Sequence, residues 1–534
     1  MSVANTRNFQ SREVAHALRE GRHVLRFLRD ATFALVVLAG PAFAQNDGDV
    51  LGLERGEHAV GFRLLEEEDR SRVVTGGARG AANARPIRTY LWYPAAPVRC
   101  SRPLRFRRYA ELADDDVWPT SISGAVRERL AYANGPLARA LPAATYAALL
   151  ERPMRAVENA APLAGSFPLI VIGLGLYYES PVTFSAMAEY LAGRGFVVAT
   201  APLAGTHVTI IKLDGQDLET QVRDLEFVIA RARQFPFVDA ERLGVLGFDM
   251  GGMVGLVLTM RNRDVDAFVS LDSGIQVPHP SGLPRSSMHY DALALRVPWL
   301  HIAHPRNDQL PRSAEATPLF EEAVFSDRYW LKTVALGHAD YTSYALIEGR
   351  GAAAGYWEPL TPARTAAHRA VADYVLQFFT VQLKAVSTAF PERDVRQALG
   401  DPSATLEHRS AAAAPIGYDE LVRKIVSGQG NEAIAELRSL AAAAPNHAML
   451  TEFNLGRLCW SLLFTWSLAE ETLPLVEFTL ERYPSSPHAK MMLGETQVML
   501  GNTPAAIAAF EQLLERFPGD PAIQSRIEEL RKRR

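Results

Sequence analysis

Residues 241–253, ERLGVLGFDMGGM, decide how this chain is read. Residues 243–246 are a short apolar run that predicts a strand. A glycine-flanked corner and the first turn of a helix follow, which together have the shape of a nucleophile elbow. Gly247 and Gly251 stand two residues either side of the central position, where side chains on so sharp a turn would collide with their neighbours. The central residue is Asp249, where the pattern usually carries serine.

Working outward, residues 167–383 alternate between short apolar runs and helical periodicity, the signature of a mostly parallel α/β sheet covered by helices on both faces. Strands are predicted at 168–172, 196–200, 267–271, 299–303 and 329–335. Helices are predicted at 181–192, 216–234, 250–260, 315–324 and 364–383. Ahead of them, 58–65 and 87–93 read as two further strands. Residues 100–160 change character and read as an insertion or lid, with helical stretches at 125–132 and 144–150.

Sites on a parallel sheet form where strands end on one side, and α/β-hydrolases order their residues nucleophile, acid, histidine. Asp249 holds the nucleophile position, Asp272 ends AFVSLDSG, and His338 follows the last strand in ALGHADYTS. Asp308, in HIAHPRND, is the rival acid. An oxyanion site needs two backbone N–H groups. The amide of Met250 is one candidate, and the loop GLGLYY, through Leu176 and Tyr177, supplies the other. No metal-ligand or cofactor-binding pattern is present.

VGFRLLEEEDRSR (60–72), TYLWYPA, SFPLIVIGLGL, LAGRGFVVAT, QVRDLEFVIARAR and RLGVLGFDMGG, in that order, resemble the platelet-activating-factor acetylhydrolases and the related dienelactone-hydrolase-like α/β-hydrolases. The resemblance covers about residues 58–383, apart from most of 100–160. It implies an α/β-hydrolase fold, ester hydrolysis, and an acid after the strand that follows the elbow, which favours Asp272 over Asp308. The chain departs from the family twice. Asp249 replaces the serine, and Leu174 stands where the oxyanion loop usually has a histidine.

A carboxylate attacking an ester carbonyl would have to form an anhydride, so ordinary acyl-enzyme chemistry is not expected of Asp249. It can instead displace a leaving group at saturated carbon, as haloalkane dehalogenases and epoxide hydrolases do on the same fold. The substrate would then be a small ester-like, halide or epoxide compound. Two other readings stay open: direct activation of water by His338 and Asp272, and an inactive domain kept as a binding module.

Beyond residue 390 the pattern becomes helical and repetitive. Ala433, Leu437 and Pro445 recur at identical spacing as Thr472, Val476 and Pro484, and again as Ala506, Phe510 and Pro518. Leu455-Gly456 and Leu493-Gly494 mark the first helices of two copies. This is the tetratricopeptide pattern of small residues at helix contacts and proline at the exit. The middle copy has four extra residues. Such a solenoid, capped by a helix over 522–533, points to a protein or peptide partner.

Residues 31–44, ATFALVVLAGPAFA, follow Arg22, Arg26 and Arg29 and end in Ala42-Phe43-Ala44, a small-x-small cleavage pattern. The run is too short to span a bilayer and reads as a secretory signal removed after Ala44, implying a secreted or periplasmic protein. Residues 1–44 hold six arginines and three acids, so their removal takes the net charge from −4 to −7. Neither charge favours nucleic acid as a partner. The 534 residues thus divide into a signal (1–44), an α/β-hydrolase domain (45–390), a linker (391–412) and a repeat domain (413–534).

Overall fold

The computed structural model describes residues 52–75, 82–97, 102–116, 141–176, 180–207, 211–306, 317–347 and 359–532. The signal at 1–44, the helix at 125–132, Tyr177 and Asp308 lie outside the described residues. Ten strands form one sheet: β1 (Ala59–Thr75), β2 (Ala82–Ala95), β3 (Ala156–Glu158), β4 (Phe167–Gly173), β5 (Val197–Thr200), β6 (Val238–Phe248), β7 (Ala267–Leu271), β8 (Trp299–Ala303), β9 (Arg328–Lys332) and β10 (Thr405–Arg409). Their order across the sheet is β10-β9-β8-β7-β6-β4-β5-β2-β1-β3. β5, β4, β6, β7, β8 and β9 run parallel, while β2 joins β5 and β1 antiparallel. With the elbow after β6 and His338 after β9, this is the α/β-hydrolase fold.

Successive residues of β6 show both covered faces, because side chains alternate along a strand. A Cβ on Gly244 would meet Phe379 and Leu383 of the helix Pro362–Lys384. Val245 points the other way, against Gly255 of the helix Met250–Arg261. Each central strand is therefore buried on both sides. Its sequence reads as a continuous apolar run for that reason.

Two expectations are corrected. The described part of 100–160 is not a lid laid over the core. The helix Phe106–Asp115 buries Phe106, Tyr109 and Leu112 in the main hydrophobic cluster, and β3 pairs in parallel with β1. The Tyr109 hydroxyl donates to Glu189 Oε1 at 2.7 Å and accepts from Trp92 Nε1 at 2.8 Å. Glu189 Oε2 accepts the Arg155 amide at 2.7 Å. Burial raises the Glu189 carboxyl above its ordinary range, against the pull of the Tyr109 hydrogen bond. Tyr109→Phe strands both a buried donor and a buried acceptor. It is expected to cost about 1–3 kcal/mol in urea denaturation; an unchanged midpoint would contradict this account of the network.

Residues 391–412, expected as a linker, instead carry a helix, Val395–Leu399, and the edge strand β10, which pairs antiparallel with β9. Asp401 ties the segment down by accepting from Thr333 Oγ1 and the Val334 amide, both at 2.8 Å. A five-residue edge strand stabilised by a partner some 75 residues away leaves little local pattern to read.

The repeats form three helix pairs: Tyr418–Val426 with Gly430–Ala443, Glu452–Trp460 with Ala469–Arg482, and Pro487–Met499 with Thr503–Arg516. Pro521–Lys532 closes the array. A Cβ on Gly494 would lie 2.6 Å from the Phe510 ring, so the small residue is what lets these helices touch. The extra residues of the middle copy form a π-helical turn, Ser461–Thr465, and a corner at Ser467 with φ 57°. Phe325, just ahead of β9, is buried within the apolar cluster of the repeats and lies edge-on to His447.

Candidate active site

The β6 strand delivers its last residue, Phe248, into the core and turns sharply at Asp249, whose φ of 50° and ψ of −118° are unfavourable for a residue with a side chain. Such a conformation costs about 1–3 kcal/mol and persists only where the surroundings impose it. Those surroundings are visible. The Asp249 amide donates to the Leu271 carbonyl at 3.1 Å, and its carbonyl accepts the Ser273 hydroxyl at 2.6 Å and the Gly252 amide at 3.0 Å. A Cβ on Gly247 would strike the Gly251 carbonyl, and one on Gly251 would strike Gly173. Both elbow glycines are needed for this close approach.

The Asp249 carboxylate reaches the loop that follows β4. Its Oδ2 accepts the Leu176 amide at 2.8 Å, and the neighbouring Met250 amide favours the ionised carboxylate. Oδ1 faces His338 Nε2 at 3.9 Å. His338 Nδ1 lies 2.6 Å from Asp272 Oδ2, and the other Asp272 oxygen accepts the His304 amide at 2.8 Å. Asp272 is almost fully buried, whereas Asp249 and His338 keep 24% and 41% of their side chains open to solvent. A substrate can therefore reach the front pair while the rear carboxylate stays dry.

The loop after β9 holds His338 from behind. Asp340 accepts the Gly337 amide at 2.9 Å and pairs with Arg364 at 2.8 Å, and the imidazole lies against the Phe248 ring with centroids 4.7 Å apart. Burial tends to lower the His338 pKa, but the Asp272 hydrogen bond and the charges of Asp249 and Asp272 outweigh it, so the ring titrates above its ordinary value. Burial raises the Asp249 carboxyl, and the His338 charge and the Met250 and Leu176 amides offset only part of that.

Asp249, Asp272, His338 and the amides of Met250 and Leu176 thus meet at one end of the sheet. Asp272, whose φ is 42°, is the carboxylate that meets His338 Nδ1. Ser273, the His304 amide and the Asp340–Arg364 pair were not singled out from the sequence. A serine directly after the acid was the only local signal for Ser273. Among the described residues no cluster of three or more His, Cys, Asp or Glu side chains could hold a metal ion.

Residues 469–527 match the tetratricopeptide repeat family. No curated protein matches the chain. Among solved structures, the chain is similar to a ferulic acid esterase from Streptomyces cinnamoneus. The identity is 24% over 65% of this chain and 96% of that one, with a TM-score of 0.46.

Proposed function

We propose that this protein is a hydrolase whose nucleophile is the Asp249 carboxylate, acting on a small molecule with a leaving group on saturated carbon. One observation carries the reading. Asp249 Oδ2 accepts the Leu176 amide while Oδ1 faces the histidine. In the first step Oδ1 forms a bond to the substrate carbon as the bond to the leaving group breaks with its electron pair, releasing a halide or, from an epoxide, leaving an attached alkoxide that takes a proton from solvent water. The product is an alkyl ester of Asp249. Esterification removes one of the two charges that hold His338 protonated, so the ring becomes free to take a proton from water. That water oxygen attacks the Asp249 carbonyl carbon. The oxyanion then forms on Oδ2, which already accepts the Leu176 amide. Collapse breaks the bond to the alkyl oxygen, which leaves as the alcohol with the proton from His338, and the carboxyl then returns its proton to His338, restoring the carboxylate.

The released alcohol takes its oxygen from Asp249, and water replaces it in the protein. A single turnover in ¹⁸O-water with excess enzyme should give unlabelled alcohol and an ¹⁸O-labelled peptide containing Asp249. Labelled alcohol from the first turnover would instead support direct attack of water activated by His338 and Asp272. Absence of turnover on halides, epoxides and esters would support a binding role for the domain.

Asp249 must be ionised to attack, and its carboxyl is raised. Activity should therefore fall with decreasing pH at a value above the ordinary aspartate pKa of about 3.9. A kcat/KM profile flat down to that value would contradict a burial-raised nucleophile.

The repeats supply a second function, binding of a protein segment through apolar side chains. Tyr418, Phe453 and Met491 occupy the same position in the first helix of each pair and are 40%, 76% and 36% exposed. Trp460 and Phe464, with ring centroids 5.6 Å apart, extend this apolar surface on the middle copy. Export after cleavage at Ala44 completes the reading; N-terminal sequencing of the mature protein tests it.

A further inference from the structure

The turn that carries His338 is a single stretch of 3-10 helix, His338–Tyr341, entered from Gly337. So short a turn makes too few bonds of its own to fix a side chain. Its position is set by what it is fastened to, and that is the start of the helix Pro362–Lys384. Arg364 Nη1 donates to Asp340 Oδ2 at 2.8 Å, and the same oxygen accepts the Gly337 amide at 2.9 Å. One helical turn further on, His368 Nδ1 lies 2.7 Å from the Asp340 carbonyl. A carbonyl only accepts, so that nitrogen carries the proton. Arg364 and His368 are an i, i+4 pair and share one helix face. Beside them, Thr365 Oγ1 donates to the Ala345 carbonyl at 2.9 Å.

The helix is a firm anchor. Thr361 caps it, proline stands at its first position, and Val371, Val375, Phe378 and Phe379 are buried in the main hydrophobic cluster. Gly337 on one side of His338 and Asp340 on the other are thus tied to one rigid element. The tie is ionic and largely buried: Asp340 keeps 1% of its side chain open to solvent and Arg364 21%. A buried ion pair adds little net stability over apolar side chains of the same volume. What this one supplies is a fixed direction for the residues between its contacts.

That direction matters for one of the two ring nitrogens. His338 Nδ1 is held by Asp272 Oδ2 at 2.6 Å, and the ring can still swing about that bond. The swing moves Nε2, which stands 3.9 Å from Asp249 Oδ1. A displacement of about 1 Å at a reacting group can cost about 100-fold in rate. We propose that the Asp340–Arg364 pair is the positioning device that aims His338 Nε2, so that it governs breakdown of the Asp249 ester and not its formation. The proposal rests on the carboxylate-nucleophile reading above. Formation needs the Asp249 carboxylate on the Leu176 amide, a contact made without the 337–341 turn. Breakdown needs Nε2 to meet a water at the ester carbonyl, and there the aim of the ring decides the rate.

The test removes both charges together, in Asp340→Asn with Arg364→Met, because an unpaired buried carboxylate would itself disrupt the turn. Formation and breakdown of the ester are followed by rapid quench and intact mass, with bromoethane and with styrene oxide. Breakdown should slow about 100-fold while formation stays within about twofold. Arg364→Lys alone, which keeps the charge, should stay within about fivefold on both steps. A second readout is the His338 Nδ1–H proton resonance, assigned by its loss in His338→Ala. It should be sharp and far downfield in the unaltered protein and in Arg364→Lys, and broadened away in the double variant. His368→Phe removes the second tie and leaves the ion pair; it should move both readouts in the same direction, and it serves if the double variant does not fold. Equal slowing of both steps in a folded variant, or an unchanged resonance, would overturn the positioning role and leave Asp249 as nucleophile. No ester with either reagent, even in His338→Ala, would sink the nucleophile reading, and the resonance would then decide alone whether the pair aims His338.

Discussion

His338→Ala should convert the protein from a catalyst into a reagent that reacts once. Alkylation needs only the Asp249 carboxylate, which the substitution leaves in place against the Leu176 and Met250 amides. Hydrolysis of the resulting ester needs a base for water, and removing such a base costs about 10²–10⁴-fold in rate. The measurement is peptide mapping after incubation with an alkyl halide or epoxide. It should show one adduct per chain, on the peptide that contains Asp249, together with the loss of steady-state turnover. An unmodified Asp249 over a panel of both substrate types would remove the carboxylate from the role of nucleophile. An adduct that appears but still turns over at the original rate would remove His338 from the role of base.

Asp249→Ser is the second large effect and reads the same site from the other side. Shortening the side chain vacates the Leu176 and Met250 amides and places a hydroxyl in front of a histidine already bonded to Asp272 at 2.6 Å. The φ of 50° at this position is kept by the Ser273 hydroxyl and the Leu271 carbonyl, which bond to the backbone of residue 249 and not to its side chain. The variant should gain hydrolysis of activated esters. A gain of about 10²-fold is expected, because an oxyanion hole is worth that much or more. The gain should vanish when His338→Ala is added. Failure to gain any esterase activity would mean that the amides do not accept an oxyanion once the carboxylate is gone.

How far the sequence could be read depended on the range of the interactions involved. The elbow was legible because its constraint is local: glycine at 247 and 251 is required wherever the chain turns that sharply, whatever lies around it. The central strands were legible because burial on two faces makes them uniformly apolar. The repeats were legible because one contact geometry recurs with small and large residues at fixed spacing. The helix Phe106–Asp115 and the strand β10 were misread because their stability comes from distant partners, Trp92 and Glu189 in one case and β9 in the other. A lone serine such as Ser273 carries no pattern until the fold shows what it bonds.

By itself the sequence determined the elbow, the presence of aspartate at its tip, the chain order of Asp249, Asp272 and His338, and the helical repeats. Only the tertiary structure decided where the Asp249 carboxylate points. Its partner, the Leu176 amide, lies 73 residues earlier in the chain and reaches it only because β4 and β6 run side by side. That pairing places one carboxylate oxygen on the Leu176 amide and turns the other toward His338.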